Sequence, residues 1–336
     1  MKIKFLLLSG FLFLFCGCQW FQNVPNQPQP VTRTEYALGT IISVRVNHAS
    51  GEIADSALDK AFSRLFEIER ITSAKLPDSE LFFINQNAFE STVIVSEELF
   101  FLLKSGLTYA ELTGGAFDIT LGSIVDLWGI GTNNARIPSQ SEISKALENC
   151  GFEHLVLNED EFSVRFLKEG LKLDLGAIAK GYAADEMKQV LAENGITSAV
   201  LDLGGNIITI GNNAGNGWIV GITDPLIPNE ICAKLHVYDK TIVTSGNYER
   251  FFMYEDTRYH HIFDRRTGFP SDSGIISATV ITDVSMTADA LSTAFFVLGT
   301  EEAVKLTENL SGIEYILIDR NLNFSISEGI EVEIIK

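Results

Sequence analysis

The chain has 336 residues, enough for one large domain or two joined ones. With 25 Lys and Arg against 44 Asp and Glu its formal net charge is −19, which argues against a nucleic-acid partner, because such binding needs Lys and Arg to neutralise phosphates. Apolar residues make up 46% and charged residues 21%, a balance that suits a packed core and excludes a disordered chain. The acidity also sets a condition on any phosphate-bearing substrate. A cation or a nest of backbone amides must offset the field where the phosphates lie.

Lys2 and Lys4 precede an apolar run from Phe5 to Phe15. A membrane-spanning helix needs about 20 apolar residues, so the shorter run reads as a secretory signal. It ends in Phe15-Cys16-Gly17-Cys18, which resembles a bacterial lipobox. The expectation is that residues 1–17 are removed and Cys18 is lipidated; an uncleaved signal anchor is the alternative. Residues 18–33, with Pro25, Pro28 and Pro30 among Gln and Asn, have little to bury and read as a solvated tether. Processing would remove two lysines and no acids, moving the net charge from −19 to −21. Cys150 and Cys232 fit no metal motif and are either buried thiols or a disulfide pair.

In chain order, residues 41–46 alternate as a strand, and apolar residues at helical spacing over 53–71 predict an amphipathic helix. A second helix is expected over 96–112, with Ser96 as N-cap and Gly114-Gly115 after its end. Short strands follow at 155–157, 162–166 and 171–173, then a helix over 178–193. Strands at 199–203, 207–210, 218–222, 231–237, 242–244 and 275–281 precede a helix over 287–298, and the last strands fall at 315–318 and 324–326. Strands in succession without intervening helices imply an α+β fold with mixed or antiparallel sheets. No linker follows residue 33, so the rest reads as one two-lobed unit.

The strongest chemical clue is the apolar helix carrying Asp289 and Thr293, four residues apart and therefore on one face. A buried carboxylate needs a partner or a metal, and oxygen ligands suit a hard cation such as Mg²⁺. The alternative is an Asp stabilised by its own helix start, with Thr293 bonding back to the carbonyl four residues earlier. A second stretch, Asp174-Leu-Gly176-Ala177-Ile-Ala-Lys180-Gly181, joins a strand to a helix start whose amides and Lys180 suit phosphate oxygens. It lacks the Gly-Lys-Ser/Thr of a Walker loop, and no Gly-x-Gly-x-x-Gly fingerprint occurs in that context. Thr113-Gly-Gly-Ala116-Phe117-Asp118 is either a turn presenting amides and an aromatic face to a planar ligand or a structural helix end. The polar stretches 244–250 and 260–268 lie between strands, and two of the five histidines fall in the latter, where a His can act as a general base.

These stretches, in this order, resemble the ApbE family, the FAD:protein FMN transferases. The resemblance runs through Gly39-Thr40, Pro77–Leu81 with Asn85, residues 113–131 and 174–185, and Leu203-Gly204-Gly205. It continues through Trp218–Pro225 and residues 244–250, 261–268 and 288–299, and so covers the chain from about residue 35 onward. It implies a T-fold-like α+β architecture over residues 34–336, with FAD as substrate in a cleft between two lobes. Mg²⁺ would be held by the Ala177 carbonyl and the side chains of Asp289 and Thr293. FAD contacts are implied at Leu38, Lys75, Ala116, Phe117, Asp118, Asp174, Lys180 and the backbone around Ile262 or Phe263. The family cleaves FAD, attaches FMN to a Thr or Ser of a target flavoprotein and releases AMP. His261, with Asp264 nearby, is the expected activator of the acceptor hydroxyl, and Lys180 helps to hold the phosphates.

Acceptors implied by the resemblance include subunits of the sodium-translocating NADH:quinone reductase or of Rnf-type complexes. The implied location is the periplasmic side of a bacterial membrane, anchored through Cys18. Two other readings are an FAD pyrophosphatase yielding FMN and AMP, and a non-catalytic FAD-binding lipoprotein. The chain departs from the family pattern in having Leu38 where Met is usual and Lys75 where an aromatic residue is frequent. It also lacks the usual Pro after Asp264.

Overall fold

A computed structural model describes residues 30–335. The expected signal, Cys18 and most of the expected tether lie outside the described residues. A hairpin of β1 (Val31–Ala37) and β2 (Thr40–Val46) leads into α1 (Gly51–Thr72), α2 (Glu80–Asn87), β3 (Val93–Ile94) and α3 (Glu97–Leu112). Then come α4 (Gly122–Trp128), α5 (Gln140–Leu147), β4 (Leu155–Asn158), β5 (Ser163–Phe166), α6 (Ala179–Glu193), β6 (Ala199–Leu203) and β7 (Asn206–Ile210). The chain continues through β8 (Trp218–Thr223), β9 (Ile231–Val237), β10 (Thr241–Gly246), β11 (Phe251–Tyr254), β12 (Thr257–His260) and β13 (Ile275–Thr282). It ends with α7 (Ser285–Leu298), α8 (Thr300–Thr307), β14 (Glu314–Asp319), β15 (Phe324–Ile326) and β16 (Val332–Ile334).

An eight-stranded sheet in the order β1-β2-β6-β7-β10-β13-β14-β15 forms the frame, and every neighbouring pair in it is antiparallel. The α+β expectation holds, and the sheets are antiparallel rather than mixed. Strand β13 is buried along its whole length because both of its faces are covered. Ala278 and Val280 pack with Leu291 and Phe295 of α7, whereas Ile276 and Ile281 join Trp218 and Leu235 of the small sheet β16-β9-β8. Ile276 and Ile281 are five apart and share a face because a bulge shifts the register between Ile275 and Ser277.

Beside α7, the apolar stripe of α1 (Ala57, Leu58, Ala61, Leu65, Ile68) packs with Ala183, Ala184, Met187 and Leu191 of α6. Arg64 of α1 ties three helices together, its Nη2 lying 2.5 Å from Glu98 of α3 and 2.7 Å from Glu186 of α6. A second apolar core forms around α2, α3, β4 and β5. The tether expectation is corrected at its end: residues 31–33 already belong to β1, because they pair with Val44, Arg45 and Val46 across the hairpin. The expected strand at 171–173 reduces to one bridge from Lys172 to Leu121. Its alternation serves a connection that feeds the start of α6. Cys150 and Cys232 are buried in separate cores, so the alternative of a disulfide between them does not occur.

Helices α6 and α7 hold each other's first turns. The amides of Ser285 and Met286 each donate to the Asp185 carboxylate of α6 at 2.9 Å. In return the Gly181 amide of α6 donates to Asp289 Oδ2 of α7 at 2.9 Å. These are orphan donors that a helix start must satisfy, and neither helix has a side-chain bond from its own N-cap residue. The approach requires Gly181, because a Cβ there would lie 2.4 Å from the Ser285 carbonyl oxygen and 2.7 Å from Met286 Cα. We expect Gly181→Ala to force the backbones apart and cost about 1–3 kcal/mol, read as a lowered urea midpoint. An unchanged midpoint would show that the contact does not govern the packing.

Candidate active site

Where this helix pair meets the part of the molecule built on α2 to α5, a cleft of about 430 Å³ opens. Ligand sites for small molecules commonly fall in this range. Its wall combines the β1–β2 turn, the end of α1, residues 116–119, the start of α6, strands β7 and β10, and α7. Leu38, Lys75, Ala116, Phe117, Asp118, Asp174, Ala177, Lys180, His261, Ile262, Phe263, Asp289 and Thr293 all line it. Asp264 does not.

Asp289 is a buried carboxylate of the cleft, 3% exposed. Its Oδ2 takes the Gly181 amide, and its Oδ1 lies 3.3 Å from Lys180 Nζ. Lys180 also reaches the Gly176 carbonyl at 3.0 Å. Thr293 does not bond back along its helix; its Oγ1 faces Ser245 Oγ at 3.4 Å, and it is Ser292 that bonds back, to the Asp289 carbonyl at 3.0 Å. Of the alternative reading, the back-bond from Thr293 does not occur. Asp289 caps the neighbouring helix, and Thr293 keeps its hydroxyl on the cleft side. Among the described residues no group of three or more His, Cys, Asp or Glu could hold a metal. The donors present here are a carboxylate, a hydroxyl and the Ala177 carbonyl. That all-oxygen set fits a hard cation, and the Lys180 ammonium already marks the position as one that holds positive charge.

Asp174 folds its carboxylate over the loop before α6, accepting the Gly176 amide at 2.8 Å, while its own amide bonds Ile119 O at 2.8 Å. The loop is thus pinned at its first residue, ahead of a fifteen-residue helix whose start lines the cleft.

His261 sits at the root of the β11–β12 hairpin. Both its amide and its Nδ1 lie 3.2 Å from the Arg250 carbonyl oxygen. A carbonyl only accepts, so the ring proton is on Nδ1 and Nε2 carries the lone pair. Burial, together with the Arg250 cation, pushes the imidazole down to about 3, so it is neutral at ordinary pH. Its neighbour His260, buried beneath the hairpin and bonded to the Ser271 carbonyl, is pushed down to about 4. Asp264 is no partner for His261. Its carboxylate closes a turn by accepting the Arg266 amide at 2.8 Å and pairs with the Arg266 guanidinium at 2.7 Å. The sequence places Asp264 three residues from His261, but the turn directs the carboxylate elsewhere.

The remaining contacts divide by kind. Leu38 and Gly39 have φ of 51° and 72°, the two left-handed residues of a tight hairpin turn. Such a φ is costly for Leu, and the Glu69 carboxylate holds it by accepting the Leu38 amide at 2.7 Å. Lys75 is exposed at the rim. The Asp118 side chain is fully buried and pairs with Thr120 and Arg265, so Asp118 meets the cleft through its backbone. Burial raises its carboxyl above the ordinary range. The Ile262 amide and carbonyl are occupied by His260 Nδ1 (3.3 Å) and the Ser271 amide (2.8 Å), which leaves Phe263 to offer its peptide groups. Sequence reasoning assigned no role to Glu69, Ser245 or Arg250. Ser245 and Arg250 lie in a stretch that it marked as polar between strands, but only folding carries them to the turn at Leu38 and to α7.

An α+β frame with a cleft that gathers an all-oxygen donor set, a helix start and a neutral imidazole has the chemistry to suit a phosphate-bearing ligand. The chain belongs to the ApbE family, whose model matches residues 38–317. It is similar to the FAD:protein FMN transferase of Treponema pallidum, 37% identical over 316 residues that span 89% of this chain and 87% of the relative. The corresponding protein of Klebsiella pneumoniae is 31% identical over 275 residues, 81% of this chain and 85% of that one. Among solved structures, the ApbE protein of Thermotoga maritima superposes with a TM-score of 0.83 at 32% identity, covering 89% of this chain and 97% of that chain. The flavin transferase ApbE of Vibrio cholerae gives 0.80 at 28% identity, covering 89% and 96%.

The two histidines make a pH prediction. Their folded pKa values lie below the ordinary 6.5, so the unfolded chain takes up protons first as pH falls. Their contribution to stability is complete above about 6.5 and is lost as pH drops toward 4 and 3. For the buried His260 this amounts to about 1 kcal/mol per pH unit below 6. We expect His260→Gln to flatten the fall in urea midpoint between pH 7 and 5; an equally steep fall in the variant would contradict the assignment.

Proposed function

We propose that the protein is an Mg²⁺-dependent FAD:protein FMN transferase, which moves FMN from FAD to a Thr or Ser hydroxyl of a target flavoprotein and releases AMP. The observation that carries this reading is the convergence of Asp289, Thr293, Lys180 and the start of α6 with a neutral His261 in one cleft. Family membership supports it, as do relatives that carry this name along most of their length.

Asp289, Thr293 and the Ala177 carbonyl would hold the cation, which when bound neutralises charge on the phosphates and polarises them. The loop 174–178 and the α6 amides orient the pyrophosphate, with Lys180 adding charge. The Leu38 turn and the peptide of Phe263 bear on the organic part of the ligand. His261 Nε2 accepts the acceptor's hydroxyl proton as its oxygen attacks phosphorus, and the bridging oxygen departs with AMP. The acceptors fit subunits of the sodium-translocating NADH:quinone reductase or of Rnf-type complexes, and the anchor would be a lipid on Cys18 at the periplasmic face.

Purified protein mixed with FAD, Mg²⁺ and a target domain bearing the acceptor Thr should yield a fluorescent target band that survives a denaturing gel. The absence of a band at every metal concentration would overturn the reading. Asp289→Asn keeps an oxygen for the Gly181 amide but loses the charge, so flavin transfer should fall at least about 10²-fold with little change in melting temperature. In cells, Cys18→Ser should move the protein to the soluble fraction; retention on the membrane would refute the anchor.

A further inference from the structure

Arg250 is a cation of the cleft to which no role has been assigned. Its Nη2 donates to the Gly39 carbonyl at 2.9 Å, bridging the hairpin root to the β1–β2 turn. A guanidinium has five N–H donors, and that carbonyl takes one of them. Lys180 pairs with Asp289, whereas Arg250 makes no ion pair with a carboxylate among the described residues. Its backbone carbonyl is also the acceptor that fixes the proton on His261 Nδ1. One residue thus presents a guanidinium fork with free N–H donors to the cleft, its charge felt by the neighbouring Glu249 carboxylate but not tied up in an ion pair, and sets the tautomer of the base beside it.

We propose that Arg250 is a catalytic residue whose guanidinium binds oxygens of the phosphoryl group in transfer while its carbonyl keeps His261 Nε2 free to take the acceptor's proton. This rests on the transferase reading above. In the step, the acceptor oxygen forms a bond to the FMN phosphorus as the P–O bond to the AMP half breaks. The acceptor's proton goes to His261 Nε2, and the bond's electron pair leaves with AMP. A planar fork suits phosphoryl oxygens, which a lysine can meet only as a point charge. The cations acting on His261 are Arg250 from the hairpin and Lys180 from α6, with His260, the titratable neighbour on the hairpin, neutral above about pH 4, so removing the Arg250 charge relieves the larger of the two.

The test compares wild type, Arg250→Lys and Arg250→Gln as full-length proteins with FAD, Mg²⁺ and the target domain, scoring covalent flavin and AMP. A wild type that gives neither product sinks the transferase reading itself. With an active wild type, we expect Arg250→Gln to lose about 10²-fold in single-turnover transfer and Arg250→Lys to recover only part of it. The His261 ring resonance, followed by NMR, should titrate at higher pH in Arg250→Gln than in wild type, while the Nδ1–H tautomer is retained. Transfer within about twofold of wild type in Arg250→Gln overturns the phosphoryl contact, and so does full activity in Arg250→Lys. A rate loss with an unmoved His261 titration would make Arg250 a structural tie to Gly39 only, and also overturns the proposal.

Discussion

Two helix starts that satisfy each other's amides are the constraint on which the site depends. Asp185 takes the first amides of α7 and Asp289 takes the Gly181 amide of α6, with no side chain at Gly181 to hold the backbones apart. The positive ends of the two helices are therefore brought together, each facing a carboxylate of the other helix. Asp289 would be costly to bury alone. The amide stabilises one of its oxygens, and the other remains for Lys180 or a cation.

That arrangement answers the difficulty set by a chain of net charge −19. Phosphates are not attracted by the molecule as a whole; the favourable field is local. Amides at a helix start, Lys180 and Arg250 act over a few ångströms, whereas most surface carboxylates act through water and are screened within about 8–10 Å in physiological salt. The acidic surface then bears on solubility and on encounter with partners.

Much of the frame was legible in the sequence because periodicity reports burial. The stripe of α1, the Ser96 cap of α3 and the all-round apolar α7 lie where their patterns put them. Local pattern was insufficient where a strand depends on a distant partner. Residues 31–33 are polar enough to read as tether and are strand only because β2 pairs with them. The same holds within the site. Asp289 and Thr293 were legible as an i, i+4 pair on a buried helix, but the link from Asp289 to Gly181 spans 108 residues and that from Arg250 to Gly39 spans 211. Asp264 was misread for the converse reason, since nearness in sequence to His261 says nothing about where a turn aims its carboxylate.

In the proposed transfer, the cations that would suit the cleft to phosphate have a consequence for His261 as base. Arg250 and Lys180 both disfavour a proton on His261, and burial disfavours it further. An imidazole depressed in this way is neutral across the working range, so none of it is lost to protonation, but it is a weaker base than a free histidine. A weak base contributes most when the proton it accepts is already acidified, as when the acceptor oxygen is well into bond formation with phosphorus. Phosphoryl transfer with a loose transition state asks little of a base in any case and much of positioning and charge. The geometry is consistent with that division: the lone pair on Nε2 is fixed in direction by the Arg250 carbonyl, and the electrostatic stabilisation comes from the helix start and the cations around it.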